Sequence, residues 1–512
     1  MGVLFNREYL QASSLNLAGD LSQYGSSAQW RGIYSRGDKI GFVVSQTVPR
    51  DDGYELLEDG RLRMSLLGAT TTARTHFSAR VDKGFVLHSF AFSLDPGTGA
   101  IEVSGVIAGK ELQLTIKTPS GSRSDTRTLQ ETPALSMNLP RLLAAAGLTP
   151  GQHIQVSMFD PATLRNAPMT IDVQAREIVR AADRPIPAFR VQTHFSGITS
   201  TSWVTDTGEV VREESPTGLM VVRETRDQAL AQAVPGQIQT DLMESAAIAP
   251  TPARRIDDPT TVERLRVRFK GAEIELGPDV QGGGQTVVDG VFEVLDQAKA
   301  KPGRADPEAR QFLAAEPFLE SDAPEIIAEA RKAIQEARTP RAQAEQLVRH
   351  VNALLEKKPT VSLPSALEVL RTRVGDCNEH TALYVAMARS LGIPARIAVG
   401  LVYLRGAFYY HAWSEVWVQE PDGRGLWLPA DPTLNQFPAD ATHIRLARGG
   451  LDRQASILPL MGHVRIEILD LDLQPGATPV LVGRSAQDTR PLDIPLPRRD
   501  GSGARCWSSP QR

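Results

Sequence analysis

Three side chains with complementary chemistry follow one another in the second half of the chain. Cys377 is one of only two cysteines in 512 residues, His411 follows 34 residues later, and Asp431 comes a further 20 residues along. A thiol, an imidazole and a carboxylate are a cysteine nucleophile, the base that takes its proton and the group that orients the base. The sequence therefore predicts a catalytic triad in which Cys377 is the nucleophile.

Cys377 lies at the predicted start of a helix. Asp376 is a suitable N-cap, and Gly392 followed by Pro394 is a stop signal. One apolar face recurs between them at helical spacing, formed by Leu383, Ala386, Met387 and Leu391. Unpaired backbone N–H groups in a first turn stabilise a thiolate and can hold an oxyanion. We therefore expect the pKa of Cys377 to lie below the usual value of roughly 8.5.

His411 and Asp431 lie on predicted strands. ARIAVGLVYL, FYYHAWSEVWV and LWLPADPT each have strand character, with His411 inside the second and Asp431 near the end of the third. A helix followed by three antiparallel strands can bring these positions together. Asp431 would then accept the far N–H of the His411 ring and fix its tautomer.

Three neighbouring residues are candidates for the substrate cleft. His380 follows Cys377 by three residues and so lies near it on the helix surface. Trp413 either walls the cleft or belongs to the core, and Glu415 is either paired or at the cleft rim. Cys377, His380 and His411 lack the fourth ligand and the paired short spacings of a structural zinc site, so we predict neither a metal nor a cofactor.

GDCNEHTALYVAMARSLGIPAR, HAWSEVWV and LPADPT together resemble the transglutaminase-like superfamily, over about residues 340–470. The resemblance implies a papain-like fold with a triad at Cys377, His411 and Asp431. It also implies a bacterial cysteine peptidase or amidase that hydrolyses an amide or peptide bond of a protein or peptide through a thioester. Amine transfer onto a protein glutamine, as in the crosslinking enzymes of the superfamily, is the alternative.

Residues 1–235 have mostly β character, with partial alternation of apolar and polar residues in segments separated by Gly, Pro, Asp and Ser. The strand pattern and the hairpin WVTDTGEVVRE resemble the half-barrel β domains of bacterial envelope proteins. That resemblance implies a hydrophobic ligand or an envelope component as partner. A scaffold that positions the catalytic domain is the alternative, as is a non-catalytic binding or assembly protein.

The predicted fold class is α+β, a papain-like core of helices and antiparallel sheet preceded by a large, mostly antiparallel β region. Residues 236–261 are expected to form a linker, 262–305 a short β unit and 306–474 the catalytic domain. Residues 475–512, rich in Pro and Arg, are expected to be a flexible tail that contains the incidental Cys506.

Composition restricts the function classes further. A hydrophobic content of 41%, a charged content of 23% and a net charge of −4 are typical of a globular protein and give no reason to expect nucleic-acid binding. No stretch reaches the ~20 apolar residues of a membrane-spanning helix. The first residues lack the pattern of a signal peptide. The sequence as written therefore favours the cytoplasm, and a longer N-terminus would allow the periplasm or cell envelope.

Overall fold

The computed structural model describes residues 21, 24–66, 69–216, 218–231, 247–252, 254–271, 277–359, 363–450, 453, 457, 464–475 and 480–481. The first residues of the chain and Cys506, with most of the predicted tail, lie outside the described residues. Within them the protein combines one large antiparallel sheet with several smaller sheets and a few helices.

The first sheet has fourteen antiparallel strands that mostly pair with their neighbours in sequence. They are β1 Gln29–Ser35, β2 Asp38–Arg50, β3 Gly53–Leu66, β4 Ala69–Asp82, β5 Leu87–Asp95, β6 Ile101–Ala108, β7 Glu111–Thr118, β8 Gly121–Thr128, β9 His153–Asp160, β10 Arg165–Ala181, β11 Arg184–Phe195, β12 Ile198–Val204, β13 Val210–Glu214 and β14 Leu219–Glu224. Period-two alternation explains strands such as β7, where Leu112, Leu114 and Ile116 are buried between exposed neighbours.

The order of the strands shows which of them lie at the edges of this sheet. β1 pairs with β14 in its middle, so β8 and β9 are its edges. The predicted DTG hairpin joins β12 to β13, and Gly208 has the positive φ of +76° that such a turn favours.

A segment between the two edge strands fills the concave side of the first sheet. Leu135 packs with the core formed by β3 to β7, whereas Leu139 and Leu143 of helix α1, Leu139–Ala145, pack against residues of β9 to β12. Because one short segment contacts both halves, the sheet must curve around it. A second short helix, α2 Arg226–Leu230, follows β14 and begins with a capping box at Thr225.

A five-stranded sheet combines strands that precede the predicted catalytic domain, 306–474, with β26 near the end of that domain, in the order β15-β26-β17-β19-β18. These are β15 Pro250–Thr251, β17 Val262–Lys270, β18 Gln285–Val288, β19 Val291–Leu295 and β26 Arg465–Leu473. Two small pairs also form, β16 Arg254–Arg255 with β27 Val480–Leu481, and β20 Glu356–Lys357 with β21 Val374–Gly375. Single 3₁₀ turns cover Pro259–Thr261 and Pro278–Val280.

The predicted catalytic segment forms four helices and a four-stranded antiparallel sheet in the order β24-β23-β22-β25. The helices are α3 Pro324–Ala333, α4 Pro340–Leu354, α5 Ala366–Thr372 and α6 Cys377–Ser390, and the strands are β22 Ala395–Leu404, β23 Ala407–Gln419, β24 Gly425–Ala430 and β25 Ile444–Arg448. Helix α6 is central, since every residue from Glu379 to Arg389 is buried.

One predicted helix is wrong. The sequence from 306 to 316 indicates a helix, but the structure has a kinked 3₁₀ turn, Ala309–Leu313, with non-helical dihedral angles at Phe312. The Phe312 ring packs edge-on against Trp427, which places it away from a regular helical path. Tertiary packing therefore overrides local helical preference here.

The first sheet contacts the region of α5. The Ser120 N–H donates to Glu368 Oε1 at 2.6 Å, the Arg371 guanidinium donates to the Thr98 carbonyl at 2.9 Å, and Phe318 packs against the sheet core. Of the helices in the described residues, none combines the length and hydropathy needed to cross a membrane.

Candidate active site

Helix α6 begins at Cys377 with a capping box. The Asp376 carboxylate accepts from the Asn378 N–H at 2.9 Å, and Glu379 Oε2 accepts from the Asp376 N–H at 2.9 Å. Gly375 leaves room for this arrangement, because a Cβ there would lie 2.2 Å from Cβ of Glu379. The predicted N-cap and helix start are confirmed.

Cys377 meets the edge of the four-stranded sheet. β24 pairs with β23 only as far as Ser414, so no strand of the described part of the chain pairs with Ala412 on that side. At Ala412 the first turns of helix α6 make the contacts that a neighbouring strand would otherwise make. The Thr381 hydroxyl donates to the Ala412 carbonyl at 3.1 Å, and the Ala412 N–H is directed at the Cys377 sulfur. The sulfur of the half-buried Cys377 therefore lies next to the residue that follows His411.

His411 and Asp431 form a buried pair. His411 Nε2 lies 2.7 Å from Asp431 Oδ2, which leaves Nδ1 as the other functional nitrogen of the ring. Asp431 Oδ1 accepts from the backbone N–H groups of Thr433 at 2.7 Å and Leu434 at 3.0 Å. Burial alone would raise the pKa of Asp431, but His411 and His443 hold it well below its usual range. Asp431 is therefore an ionised acceptor of fixed orientation.

A second histidine that the sequence did not predict shares the same carboxylate. His443 Nε2 lies 3.1 Å from Asp431 Oδ2, and its Nδ1 lies 3.3 Å from Asp440 Oδ1. Burial alone would lower the pKa of His443, but the bonds to Asp431 and Asp440 raise it to about 10. His443 is therefore an imidazolium that joins two carboxylates behind the His411 ring. The FPADATHIRL segment, with Asp440 three residues before His443, was the available signal.

This raised pKa predicts a pH-dependent stability. A group whose pKa is higher in the folded than in the unfolded protein contributes fully below its unfolded value, ~6.5 for histidine, and loses the contribution as the pH rises through the folded value. We expect His443→Gln to reduce the free energy of unfolding most at pH 6. The difference from the wild type should shrink steadily toward pH 10 in urea unfolding. A difference that grows with pH would contradict the imidazolium assignment.

The residues predicted to line a substrate cleft are all buried. His380 is 0% exposed, Trp413 1% and Glu415 2%. His380 Nδ1 donates to the Asp376 carbonyl at 2.7 Å, and the Trp413 ring lies parallel to His411 and edge-on to His443. We therefore correct the prediction: these side chains support the site from within the protein and do not line a cleft.

Glu415 is paired, which resolves the alternative left open by the sequence. Its carboxylate accepts from Arg396 at 2.8 Å and from Arg448 at 2.9 Å, and it also contacts Arg445. Burial alone would raise the pKa of Glu415, but the three guanidinium groups, Arg445 first, lower it to about 2. Glu415 is thus the centre of a buried ion cluster.

The expected low pKa of the Cys377 thiol is corrected. Burial raises this pKa well above its ordinary value, and the charge of Asp376 adds to the effect, whereas the Ala412 N–H opposes it. Burial of the thiol is the largest cause of the difference, and the capping interaction adds to it. The Asp376 carboxylate accepts hydrogen bonds from N–H groups of the first turn and places a negative charge next to the sulfur. The resting Cys377 side chain is therefore a neutral thiol.

A neutral thiol predicts a distinctive alkylation profile. In a Cys506→Ser background, the rate of Cys377 modification by iodoacetamide, followed by intact mass, should be low at pH 7 and still rising above pH 9. Asp376→Asn keeps a good N-cap residue but removes the charge, so we expect its profile to move to lower pH. Asp472→Asn, an exposed change in β26, should leave the profile unchanged. A rate that is already constant below pH 7 would contradict the raised pKa.

Among the described residues, one group of three potential metal ligands lies within 4.8 Å: His411, Asp431 and His443. All three are buried, and the carboxylate is hydrogen-bonded to both rings. Cys377 and His380 do not belong to this group.

A groove of about 590 Å³ runs beside the first turns of α6. Asn378 and Thr381 face it from the helix and Ile397 from β22. Arg127 and Leu164 line the groove from the first sheet. The groove therefore lies between the two parts of the molecule, within one helical turn of Cys377.

Comparisons with known proteins include one match whose bounds fall in this part of the chain. The family model of the transglutaminase-like superfamily matches residues 327–432, which include Cys377, His411 and Asp431. Uncharacterized protein Mb2599c of Mycobacterium bovis (strain ATCC BAA-935 / AF2122/97) is 33% identical over 104 residues, 19% of this chain and 32% of that protein. The chain thus spans about a third of the length of the curated relatives it matches.

Two solved structures are similar at low identity. One, described as "a Putative Cysteine Protease from Cytophaga hutchinsonii", is 18% identical with a TM-score of 0.26, over 44% of this chain and 84% of that one. Another, a "Beta-barrel-like Protein of Domain of Unknown Function DUF1849 from Brucella abortus", is 12% identical with a TM-score of 0.30, over 38% of this chain and 96% of that one.

Proposed function

Because residues 327–432 belong to the transglutaminase-like superfamily, we propose that this chain is a cysteine hydrolase. It would cleave an amide or peptide bond of a protein or peptide substrate through an acyl-enzyme, with Cys377, His411 and Asp431 as its triad. The observation that carries the proposal is the buried His411–Asp431 pair at 2.7 Å, with the Cys377 sulfur facing the N–H of the residue next to His411.

In the first half of the reaction, Cys377 Sγ attacks the substrate carbonyl carbon as His411 Nδ1 takes the thiol proton. Because the thiol is neutral at rest, proton transfer accompanies the attack. The C–N bond then breaks, and His411 returns the proton to the leaving amine. Asp431 holds the ring through Nε2 and stabilises the imidazolium that forms in between.

In the second half, water attacks the thioester and gives a proton to His411. The C–S bond breaks, the carboxylic acid leaves and the thiol of Cys377 is restored. The N–H of Cys377, at the start of α6, is a suitable donor to the oxyanion in both halves. The groove beside Asn378 and Thr381 is where we place the acyl part of the substrate.

Amine transfer is the alternative fate of the same thioester, and one experiment separates the two. A mixed pool of cell-derived peptides is incubated with the protein in H₂¹⁸O, with and without a biotinylated primary amine, and analysed by mass spectrometry. Hydrolysis predicts ¹⁸O in new carboxyl groups. Transfer instead predicts adducts of the amine.

Cys377→Ala is the matched control for this experiment, with Cys506→Ser as a second cysteine change. We expect product formation to stop in the first variant and to continue in the second. Products at the same level in Cys377→Ala, or none from the wild type, would contradict the proposal.

A further inference from the structure

The segment between β24 and β25, residues 431–443, folds back on itself so that its last residue contacts its first. Asp431 and Gln436 exchange two backbone hydrogen bonds, of 3.0 and 2.9 Å. The Gln436 side chain donates to Asp440 Oδ2 at 2.9 Å and accepts from the Asp440 N–H at 3.0 Å. His443 then contacts both Asp440 and Asp431. The segment is therefore a hydrogen-bonded ring, which we call the closed loop.

The closed loop fixes the Asp440 carboxylate independently of His443. The Thr442 N–H and hydroxyl both donate to Asp440 Oδ1, at 2.9 and 2.6 Å, while Gln436 holds Oδ2. Asp440 is buried, and Thr442 is fully buried. Because its partner is held from several sides, the His443 ring has a defined orientation.

Both ring nitrogens of His443 act as donors. Nδ1 lies 3.1 Å from the Asp440 carbonyl oxygen and 3.3 Å from Asp440 Oδ1, and both of these atoms are acceptors. Nε2 lies 3.1 Å from Asp431 Oδ2, which is also an acceptor. His443 thus presents an N–H to the same oxygen that His411 Nε2 approaches at 2.7 Å.

The Asp431 carboxylate accepts four hydrogen bonds, two at each oxygen. The backbone N–H groups of Thr433 and Leu434 hold Oδ1, and the rings of His411 and His443 share Oδ2. A carboxylate held at one oxygen can still turn about that oxygen, whereas a fixed donor at the other oxygen sets its plane. His443 is suited to this role, because in the proposed reaction only His411 gains and loses a proton.

His443 also supports the His411 ring through Trp413. The Trp413 ring lies 6.3 Å from the His411 ring with 17° between their planes, and the His443 ring meets Trp413 edge-on at 5.2 Å. All three side chains are buried or at the limit of burial. Packing therefore limits the movement of the His411 ring in addition to its hydrogen bond with Asp431.

We propose that His443 is a positioning residue for the acyl transfer. The closed loop presents its Nε2–H to Asp431 Oδ2, and this bond keeps the carboxylate and the His411 ring in the orientation that receives the thiol proton of Cys377. The inference rests on the proposed hydrolytic function and deepens it, since it gives the closed loop a role beyond that of the three triad residues.

Two substitutions separate the hydrogen bond of His443 from its ring. His443→Phe keeps an aromatic ring beside Trp413 but has no donor, whereas His443→Gln can place an amide N–H near the position of Nε2. We expect His443→Phe to lower the rate of Cys377 acylation by p-nitrophenyl acetate about 10–100-fold, and His443→Gln to keep most of the rate. His350→Phe is the matched control and should acylate at the wild-type rate, because His350 pairs with Glu329 at 2.7 Å and not with the triad.

Alkylation by iodoacetamide at pH 9.5 distinguishes positioning from a general loss of structure, because hydroxide can form the thiolate there without His411. We expect equal alkylation of Cys377 in wild type and His443→Phe. Gln436→Ala leaves His443 in place and is the second variant if His443→Phe does not fold. It should lower acylation about three- to fivefold, a smaller loss because it acts through Asp440.

Three outcomes of these rate measurements would overturn the inference. They are equal acylation by wild type and the variant that lacks the donor, equal losses in His443→Phe and His443→Gln, and parallel losses of acylation and alkylation. Unchanged acylation in Gln436→Ala would also count against the closed loop.

NMR of ¹⁵N-labelled histidines tests the same contact without any reaction. The His411 Nε2–H should give a downfield proton signal that is absent in His411→Ala. We expect this signal to remain in His443→Gln and to shift upfield or broaden in His443→Phe, and an unchanged signal in the latter would overturn the inference. A wild-type protein that shows the signal but forms no acyl-enzyme would instead contradict the hydrolytic function.

Discussion

Replacing Asp431 with asparagine is expected to lower the rate of Cys377 acylation by about 10⁴-fold. The backbone N–H groups of Thr433 and Leu434 select which way the new amide points, because its oxygen must accept from them. The amide NH₂ then faces His411 Nε2 and donates to it. His411 must carry its proton on Nδ1, so it cannot take one from the thiol.

Single-turnover acylation by p-nitrophenyl acetate measures this effect through the release of p-nitrophenol. Asp440→Asn is the matched control, because it makes the same chemical change one residue further along the network, at the carboxylate bound to the far side of His443. We expect that variant to lose less than about tenfold, since it does not contact His411. Similar acylation rates for Asp431→Asn and wild type would show that Asp431 does not take part in the mechanism.

Replacing Glu415 with alanine is expected to destabilise the catalytic region by about 3–5 kcal/mol. The carboxylate is 2% exposed, and Arg445 beside it has a side chain that is only 3% exposed. Removing the acid leaves that guanidinium buried without its counter-charge, together with Arg396 and Arg448 at the margin of the cluster. Tryptophan fluorescence during urea unfolding measures the loss, because Trp413, Trp417 and Trp427 lie in this region.

Glu345→Gln is the control for the stability experiment. It removes an exposed i,i+4 pair with Arg349 on α4, and we expect a loss of only ~0.3–0.5 kcal/mol. The wild-type contribution of Glu415 should also depend on pH. Its pKa is lowered on folding, so the contribution is present above the unfolded value of ~4.3 and is lost as the pH falls toward about 2. Equal losses in the two variants would show that the cluster adds no more than a surface pair.

Local signals were sufficient for much of the catalytic region. The bounds of α6 were predicted closely from short-range signals. Asp376 marks its start, and Gly392 with Pro394 marks its end. The transglutaminase-like superfamily, predicted from three motifs, is confirmed for residues 327–432. The strand β23 and the end of β24 just before Asp431 also followed from the sequence, because both depend on neighbouring residues.

The features that depend on distant residues could not be predicted. Arginines from β22 and β25 converge on the buried Glu415 carboxylate, and the carbonyls of residues 281–282 accept hydrogen bonds from Arg448 and Arg445 of the same cluster. The glycine run at 282–284 packs on this cluster, and Gly283 has a φ of +61° with Arg445 3.3 Å from the position of a Cβ. No local sequence pattern predicts that Arg445 packs so closely against Gly283.

The pKa of the Cys377 thiol was predicted wrongly from its helical position for a related reason. A first-turn position alone lowers the pKa of a cysteine, but here the fold buries the thiol, which raises its pKa, and the charge of Asp376 adds to that effect. His443 was missed because its role requires a fold that brings Asp431 and Asp440 to the two sides of one ring.

The most direct test of the central claim is to locate the acyl group. The protein is treated with p-nitrophenyl acetate, quenched with acid and digested, and the acetylated peptide is identified by mass spectrometry. We expect acetyl on Cys377 in the wild type, formed at least 10³-fold faster than in His411→Ala. Acetylation of Cys506 at the same rate, or of Cys377 at an unchanged rate in His411→Ala, would contradict a catalytic thiol at Cys377.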